Sequence, residues 1–172
     1  MKKLFLLFAA LLLSVSAFAQ FDTDWYNLGG RVTTRIGCDI YQKEVIGDIT
    51  AALEAGFLRL QLETGTFAID DLGTNKRHVT QYFAPSLGVV CGSKHLFYLL
   101  AGATTWPMWI KNGEIVALKK DIWHFKLDAG FDFRLNDLFF INIGGTYVFP
   151  RRFDSFTASP ALLIFAGIGF YI

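Results

Sequence analysis

Trp123-His124-Phe125-Lys126-Leu127-Asp128-Ala129-Gly130-Phe131-Asp132-Phe133-Arg134 alternates without a fault. Trp123, Phe125, Leu127, Ala129, Phe131 and Phe133 are apolar, and the residues between them are charged, imidazole or glycine. A period of two is the period of a β-strand with one apolar and one polar face. Leu138 to Phe149 repeats the pattern after the short turn Leu135-Asn136-Asp137, with Phe139, Ile141, Ile143, Gly145, Tyr147 and Phe149 on one face. The two segments form the clearest hairpin in the chain.

Working outward, Arg31, Thr33 and Arg35 alternate with Val32, Thr34 and Ile36, and Arg59, Gln61 and Glu63 with Leu58, Leu60 and Leu62. Gly92-Ser93-Lys94 is a second tight turn, between Ser86–Cys91 and His95–Thr104. Three longer connections, Gly65 to Arg77, Trp106 to Lys120 and Pro150 to Ser159, are expected at the opposite end, and Asn112-Gly113 within the second is a hairpin tip. Ile49 to Phe57 fits less well, with Glu54 and Gly56 out of step unless a bulge shifts the register. Pro85 cannot donate to a ladder, so it implies a bulge or a strand that starts near Ser86. The strict count is seven strands. An up-and-down barrel with both termini on one side needs an even number, so an eighth is expected between Phe21 and Asp48 or before His78.

Lys2-Lys3, the apolar run Leu4 to Leu13 and the triplet Ala17-Phe18-Ala19 have the layout of an export signal, so residues 1–19 are read as a signal peptide cleaved near Ala19 and residues 20–172 as one β-barrel domain. The apolar run is too short to span a bilayer as a helix. Removing Lys2 and Lys3 takes the 16 Lys and Arg to 14 against 15 acidic residues, a net charge of −1 that gives no reason to expect nucleic acid. Hydrophobic residues make up 53% of the chain, which suits strands that must be half apolar. Cys38 and Cys91, in an exported chain, can close a disulfide or serve as small apolar residues, and sequence does not choose.

Alternation leaves the direction of the apolar face open. A lipocalin-like secreted barrel turns it inward around a small apolar ligand, and a membrane barrel turns it outward to lipid. The charges of both signs on Lys126, Asp128, Asp132 and Arg134, which can neutralise one another inside a narrow barrel, favour lipid outside. So do the aromatics Trp123, Phe131, Phe133, Phe139, Tyr147 and Phe149 near strand ends, where interfacial girdles form. The expected architecture is all-β, a single antiparallel up-and-down transmembrane barrel of about eight strands. Arg31, Arg35, Arg59, Glu63, His124, Lys126, Asp128, Asp132 and Arg134, with Glu54, are then a luminal polar network. Phe140, Val148, Leu163, Phe165 and Tyr171 add bulk inside, which argues against an open pore without deciding whether the lumen conducts.

No metal-ligand spacing joins His78, His95 or the cysteines, no phosphate loop or dinucleotide pattern is present, and no cofactor is implied. His124 could serve a lipid-modifying enzyme only with a nucleophile in reach, and spacing places none beside it.

Gly167, Phe170 and Ile172 at the C-terminus match the glycine and two hydrophobic positions of the insertion signal of bacterial outer-membrane proteins, and the chain resembles the small OmpA/OmpX-type barrels. Phe165, where that signal has a polar residue, and terminal Ile172, in place of Phe or Trp, depart from it. The resemblance implies a monomer in the outer membrane of a Gram-negative bacterium, with lipid and the outer-membrane assembly machinery as partners and Gly167, Phe170 and Ile172 as the recognised residues.

Overall fold

The computed structural model describes residues 28–41, 43–71, 76–105, 108–111, 114–117, 123–153, 156–158 and 160–172. Among them the chain forms β1 (Leu28–Asp39), β2 (Val45–Ala55), β3 (Leu58–Asp71), β4 (Lys76–Cys91), β5 (His95–Thr105), β6 (Met108–Lys111), β7 (Glu114–Ala117), β8 (Trp123–Arg134), β9 (Phe139–Val148), β10 (Arg152–Phe153), β11 (Phe156–Ala158) and β12 (Ala161–Tyr171). Eight of these close into one antiparallel barrel in the order β1-β12-β9-β8-β5-β4-β3-β2, and β10-β11-β6-β7 make a separate small sheet. Residues 1–19, read from sequence as a signal peptide, lie outside the described residues.

The eighth strand is the imperfect one. Residues 49–57 looked out of step because their frame was wrong: β2 starts at Val45 and stops at Ala55, and within it Ile46, Asp48, Thr50, Ala52 and Glu54 all point inward without a bulge. Gly56 lies beyond the strand, in the two-residue turn to Leu58, at φ 59°, a conformation glycine reaches without penalty. Pro85 does not start β4 either. The strand runs through it from Lys76, and Pro85 sits where the ladder to β5 stops, one residue beyond the Ser86–Gly102 pair. Past it the Phe83 amide donates to the Thr105 hydroxyl (3.0 Å) instead of a carbonyl. The three long connections also hold more structure than expected. Residues 65–71 and 76–77 extend β3 and β4, and the other two segments supply β6, β7, β10 and β11. Lys111 pairs with Glu114 on either side of residues 112 and 113, which are outside the described residues.

Strand register fixes the barrel's girth. Following partners from Tyr171 on β12 leads to Arg31, Ala52, Gln61, Ser86, Gly102, Lys126, Val148 and back to β12 at Ala161, a stagger of ten residues from Tyr171. With eight strands, that stagger sets a tilt of about 40° and a backbone diameter of about 16 Å, room for side chains and little else. The turns at residues 56–57, 92–94 and 135–138 lie at the end that holds Leu28 and Tyr171, and the small sheet lies at the other. Asn136 shapes the last of these turns, its side-chain oxygen accepting from the Leu138 (2.8 Å) and Phe139 (2.7 Å) amides. Cys38 stands near the loop end of β1 and Cys91 at the turn end of β4, on opposite rims, and both are free thiols. A bridge between them is excluded by the height of the barrel.

Four inward rings each lie directly across from a glycine: Phe165 from Gly37, Phe140 from Gly169, Tyr98 from Gly130 and Tyr82 from Gly65. The absent Cβ is what lets each ring lie flat on the wall. A Cβ at Gly130 would land on the Tyr98 hydroxyl and ring, and one at Gly144 on the same hydroxyl. Gly130→Ser is therefore not the mild luminal change that its polar neighbours suggest. It should cost about 1–3 kcal/mol of overpacking, read as a lower detergent denaturation midpoint of the refolded protein, whereas serine at Gly47, where a Cβ meets nothing, should leave that midpoint unchanged.

Candidate functional site: the charged lumen

The alternation in β1, β2, β3 and β8 delivers charges to the interior, and register sorts them into two layers. Nearer the termini, Arg31 pairs with Glu54 (2.8 Å) and Asp132 (3.1 Å), and Arg59 reaches the same two carboxylates, Glu54 through Nε (2.7 Å) and Asp132 through Nη2 (2.6 Å). Asn142 donates to the second Asp132 oxygen (2.6 Å) and to the Tyr98 hydroxyl (3.1 Å). Two cations meet two anions, so the layer is neutral.

Nearer the loop end, Arg35 grips Asp48 through two parallel bonds (2.7 and 2.9 Å) and touches Glu63 (3.0 Å), while Lys126 bridges Glu63 (2.9 Å) and Asp128 (3.0 Å). Here three carboxylates face two cations, and hydroxyls supply the remaining donors. Tyr82 donates to Glu63 (2.9 Å) and lies 3.2 Å from Asp48, Ser86 donates to Asp128 (2.9 Å), and so does Thr146. Carboxylates removed from water cost several kcal/mol each unless paired and hydrogen-bonded, and this layer answers that cost with a donor at every carboxylate.

Three arginines also lie over the rings that cover the glycines: Arg35 over Phe165 (4.4 Å), Arg59 over Tyr98 (4.6 Å) and Arg31 over Phe140 (5.3 Å). Each is a stack of glycine, ring and guanidinium, which joins barrel wall to ion pair through a cation–π contact. Phe165, out of place as a polar position of a terminal signal, is the floor under Arg35. Apolar side chains flank the charged zone, Ile46, Val148, Ala161 and Leu163 towards the loops and Val90 and Leu96 towards the turns, with Leu100 packed against these two from mid-strand, across from Asp128.

Of the residues expected to share the lumen, Arg31, Arg35, Arg59, Glu63, Lys126, Asp128 and Asp132, with Glu54, are in contact through these pairs. His124 is buried one inward position beyond Lys126, across from Thr104, and the Ser86 hydroxyl is committed to Asp128. Arg134 is not in the network. β8 ends there, so its side chain emerges at the rim, where it pairs with Asp137 (2.7 Å), bonds the Asn136 carbonyl (3.2 Å) and faces the Tyr171 ring. Asp48, Tyr82, Ser86, Asn142 and Thr146 belong to the network and were missed. Asp48 and Thr50 do alternate with Ile49 once β2 is given its true start, and Tyr82 precedes Pro85, where no strand was expected.

Outside, Ile36, Leu53, Val45 and Ile168 are more than three-fifths exposed, and Ile49, Leu60, Leu62, Phe125, Phe131 and Ile143 are exposed as well. Phe170 and Ile172 share this outward face. Gly167 sits between Arg35 and Asn142, and Ile172 exchanges backbone bonds with Gly30 (2.8 and 3.3 Å) at the closing seam.

No protein-family model and no curated protein matches the sequence. Solved structures do match. The N-terminal β-barrel domain of Pseudomonas aeruginosa OprF aligns with 84% of this chain and 97% of its own at 12% identity and a TM-score of 0.54. The Yersinia pestis outer membrane protein Ail, in a phospholipid bilayer nanodisc, aligns with 85% of this chain and all of its own at 11% identity and a TM-score of 0.54. A de novo designed transmembrane β-barrel aligns with 84% of this chain and 95% of its own at 12% identity and a TM-score of 0.52. A designed barrel shares the likeness, so the likeness carries architecture and no particular role. The structural neighbours of this chain are small eight-stranded outer-membrane barrels of the OmpA/OmpX type, and their fold is its fold.

Proposed function

We propose that the chain is an outer-membrane β-barrel of structural or surface-recognition type whose lumen is filled by its own side chains. The observation that carries this reading is the inverted polarity: Lys126, Asp128, Arg35 and Glu63 are buried, while Ile168 and Leu53 lie open on the outside. A water-soluble barrel does not present so continuous an apolar exterior, and a lipocalin-like barrel would need an apolar interior around its ligand. Recognition then belongs to the loop end, where β6, β7, β10 and β11 rise beyond the barrel.

Purified from membranes in detergent, the protein should migrate differently on gels before and after boiling. Reconstituted in planar bilayers, it should give no stable ohmic conductance of porin size. Steady conductance would reject the filled lumen, and a folded product that needs no detergent would reject the membrane reading.

Closure by β12 makes a second prediction. Deleting residues 170–172 removes the partners of Val32, Arg31 and Gly30 at the seam and should leave export intact while preventing insertion, because an open edge exposes backbone groups that hydrocarbon cannot satisfy. Protease protection in isolated outer membranes is the readout. A truncated chain that is still protected there would sink the role proposed for Gly167, Phe170 and Ile172 in assembly.

A further inference from the structure

Every joint of the barrel wall but one lies between strands that the chain links in succession, through a turn or through the strands of the small sheet. The exception is the seam between β1 and β12, which runs from the Arg31–Tyr171 pair to the Asp39–Leu163 pair and brings the two ends of the barrel together. Loop-closure entropy grows with the length of chain enclosed, so this joint carries the largest such cost in the wall.

β12 also reaches the seam without charge. Ala161–Tyr171 contains no acid and no base. β9 is equally uncharged, but its Asn142 and Thr146 tie it to Asp132 and Asp128. β12 brings rings to the lumen instead, and two guanidinium groups of β1 meet them. Arg31 is held by Glu54 of β2 (2.8 Å) and lies over Tyr171 of β12 (4.5 Å). Arg35 is held by Asp48 of β2 (2.7 and 2.9 Å) and lies over Phe165 of β12 (4.4 Å). The same connection, from a β2 carboxylate through a β1 guanidinium to a β12 ring, is therefore made twice, once near each end of the seam. Phe165 faces Gly37 of β1, where a Cβ would overlap its ring, so this ring itself reaches across the joint. The remaining stack, Arg59 on Tyr98, joins β3 to β5 and leaves the seam untouched. A cation over a ring is attracted more strongly when both are desolvated, and an uncharged strand held in this way brings no ion of its own to bury.

We propose that Arg31 and Arg35 form a double clasp on the closing seam. Each is anchored by β2 and holds a ring of β12, and without those rings the barrel opens locally between β1 and β12 while its other joints stay shut.

The test is hydrogen exchange of the full-length protein folded in lipid vesicles, read peptide by peptide by mass spectrometry. Phe165→Leu with Tyr171→Leu keeps apolar bulk and every luminal ion pair but removes both ring faces. Exchange in β1 and β12 should become at least about tenfold faster, and exchange in β3 and β4 should stay within about twofold of wild type. Tyr98→Leu, which removes the stack away from the seam, should leave β1 and β12 within about twofold. The single variants should act locally, Tyr171→Leu on residues 31–33 and 169–171 and Phe165→Leu on residues 37–39 and 163–165, and they decide the matter if the double variant does not fold. Unchanged exchange at the seam, equal acceleration in every strand, or the same seam acceleration from Tyr98→Leu overturns the clasp. So does a single ring variant that loses heat-dependent migration, because the ring would then hold the whole wall and not one joint.

Discussion

Asp132→Ala should be among the most damaging single substitutions in the lumen, lowering stability by about 3–5 kcal/mol. Asp132 is 1% exposed and accepts from Arg31, Arg59 and Asn142 at once. Without it two buried guanidinium groups share only Glu54, and one positive charge is left without compensation in a low-dielectric interior. The loss comes from the stranded charge and not from the missing contact, so a second substitution should return part of it. Asp132→Ala with Arg31→Met leaves Arg59 with Glu54, a neutral layer, and should recover at least about 1 kcal/mol relative to Asp132→Ala alone. Urea titration of the protein folded into lipid vesicles measures both. A double variant no more stable than the single one would show that packing around Asp132, and not charge balance, holds the layer.

Leu127→Arg should cost about 2–4 kcal/mol and reduce the folded yield in membranes. Leu127 is near the middle of β8 and points outward between Ala101 on β5 and Tyr147 on β9. Lys126, its neighbour in sequence, is buried and doubly paired, so the same strand welcomes one cation and rejects another one residue away. The expected ordering is a strong effect at Leu127 in vesicles and a weak one for Arg placed at Leu138, beyond the strand and exposed at the rim. Equal tolerance at the two sites would argue that Leu127 does not face hydrocarbon.

How much of this could be read from residues alone follows from where the period-two signal is clean. β8 was legible up to its last residue, because charged residues, His124 and Gly130 alternate with apolar ones throughout, and its inward residues Lys126, Asp128 and Asp132 followed directly. β2 was blurred by Ala51, Ala52 and Ala55, which carry no face information, and by Gly56, which belongs to a turn. Asp48 went with it. Tyr82 and Tyr98 could not be assigned to a face by polarity, since a tyrosine serves either side of a barrel wall. Their inward direction depends on Gly65 and Gly130 across the sheet, and that is a fact of register. Arg134 failed in the opposite way: its parity was right, but parity says nothing of the strand ending under it. The stagger of ten residues, which decides that Lys126 meets Glu63 across the lumen, arises only when the ring closes.

The central claim is that the wall's outward residues face hydrocarbon while the inward residues are sealed from water. The direct measurement is collisional relaxation of single nitroxide labels at Ile49, Ala51, Leu53, Leu60, Leu62, Ile143 and Ile164, with Cys38 and Cys91 replaced by serine, in protein folded into lipid vesicles. Oxygen, which concentrates in the bilayer, should relax every label strongly, and a water-soluble nickel chelate should relax none of those near mid-strand. Nickel access at Leu60 or Ile143 equal to that of a label at Leu135 in the β8–β9 turn would contradict the account.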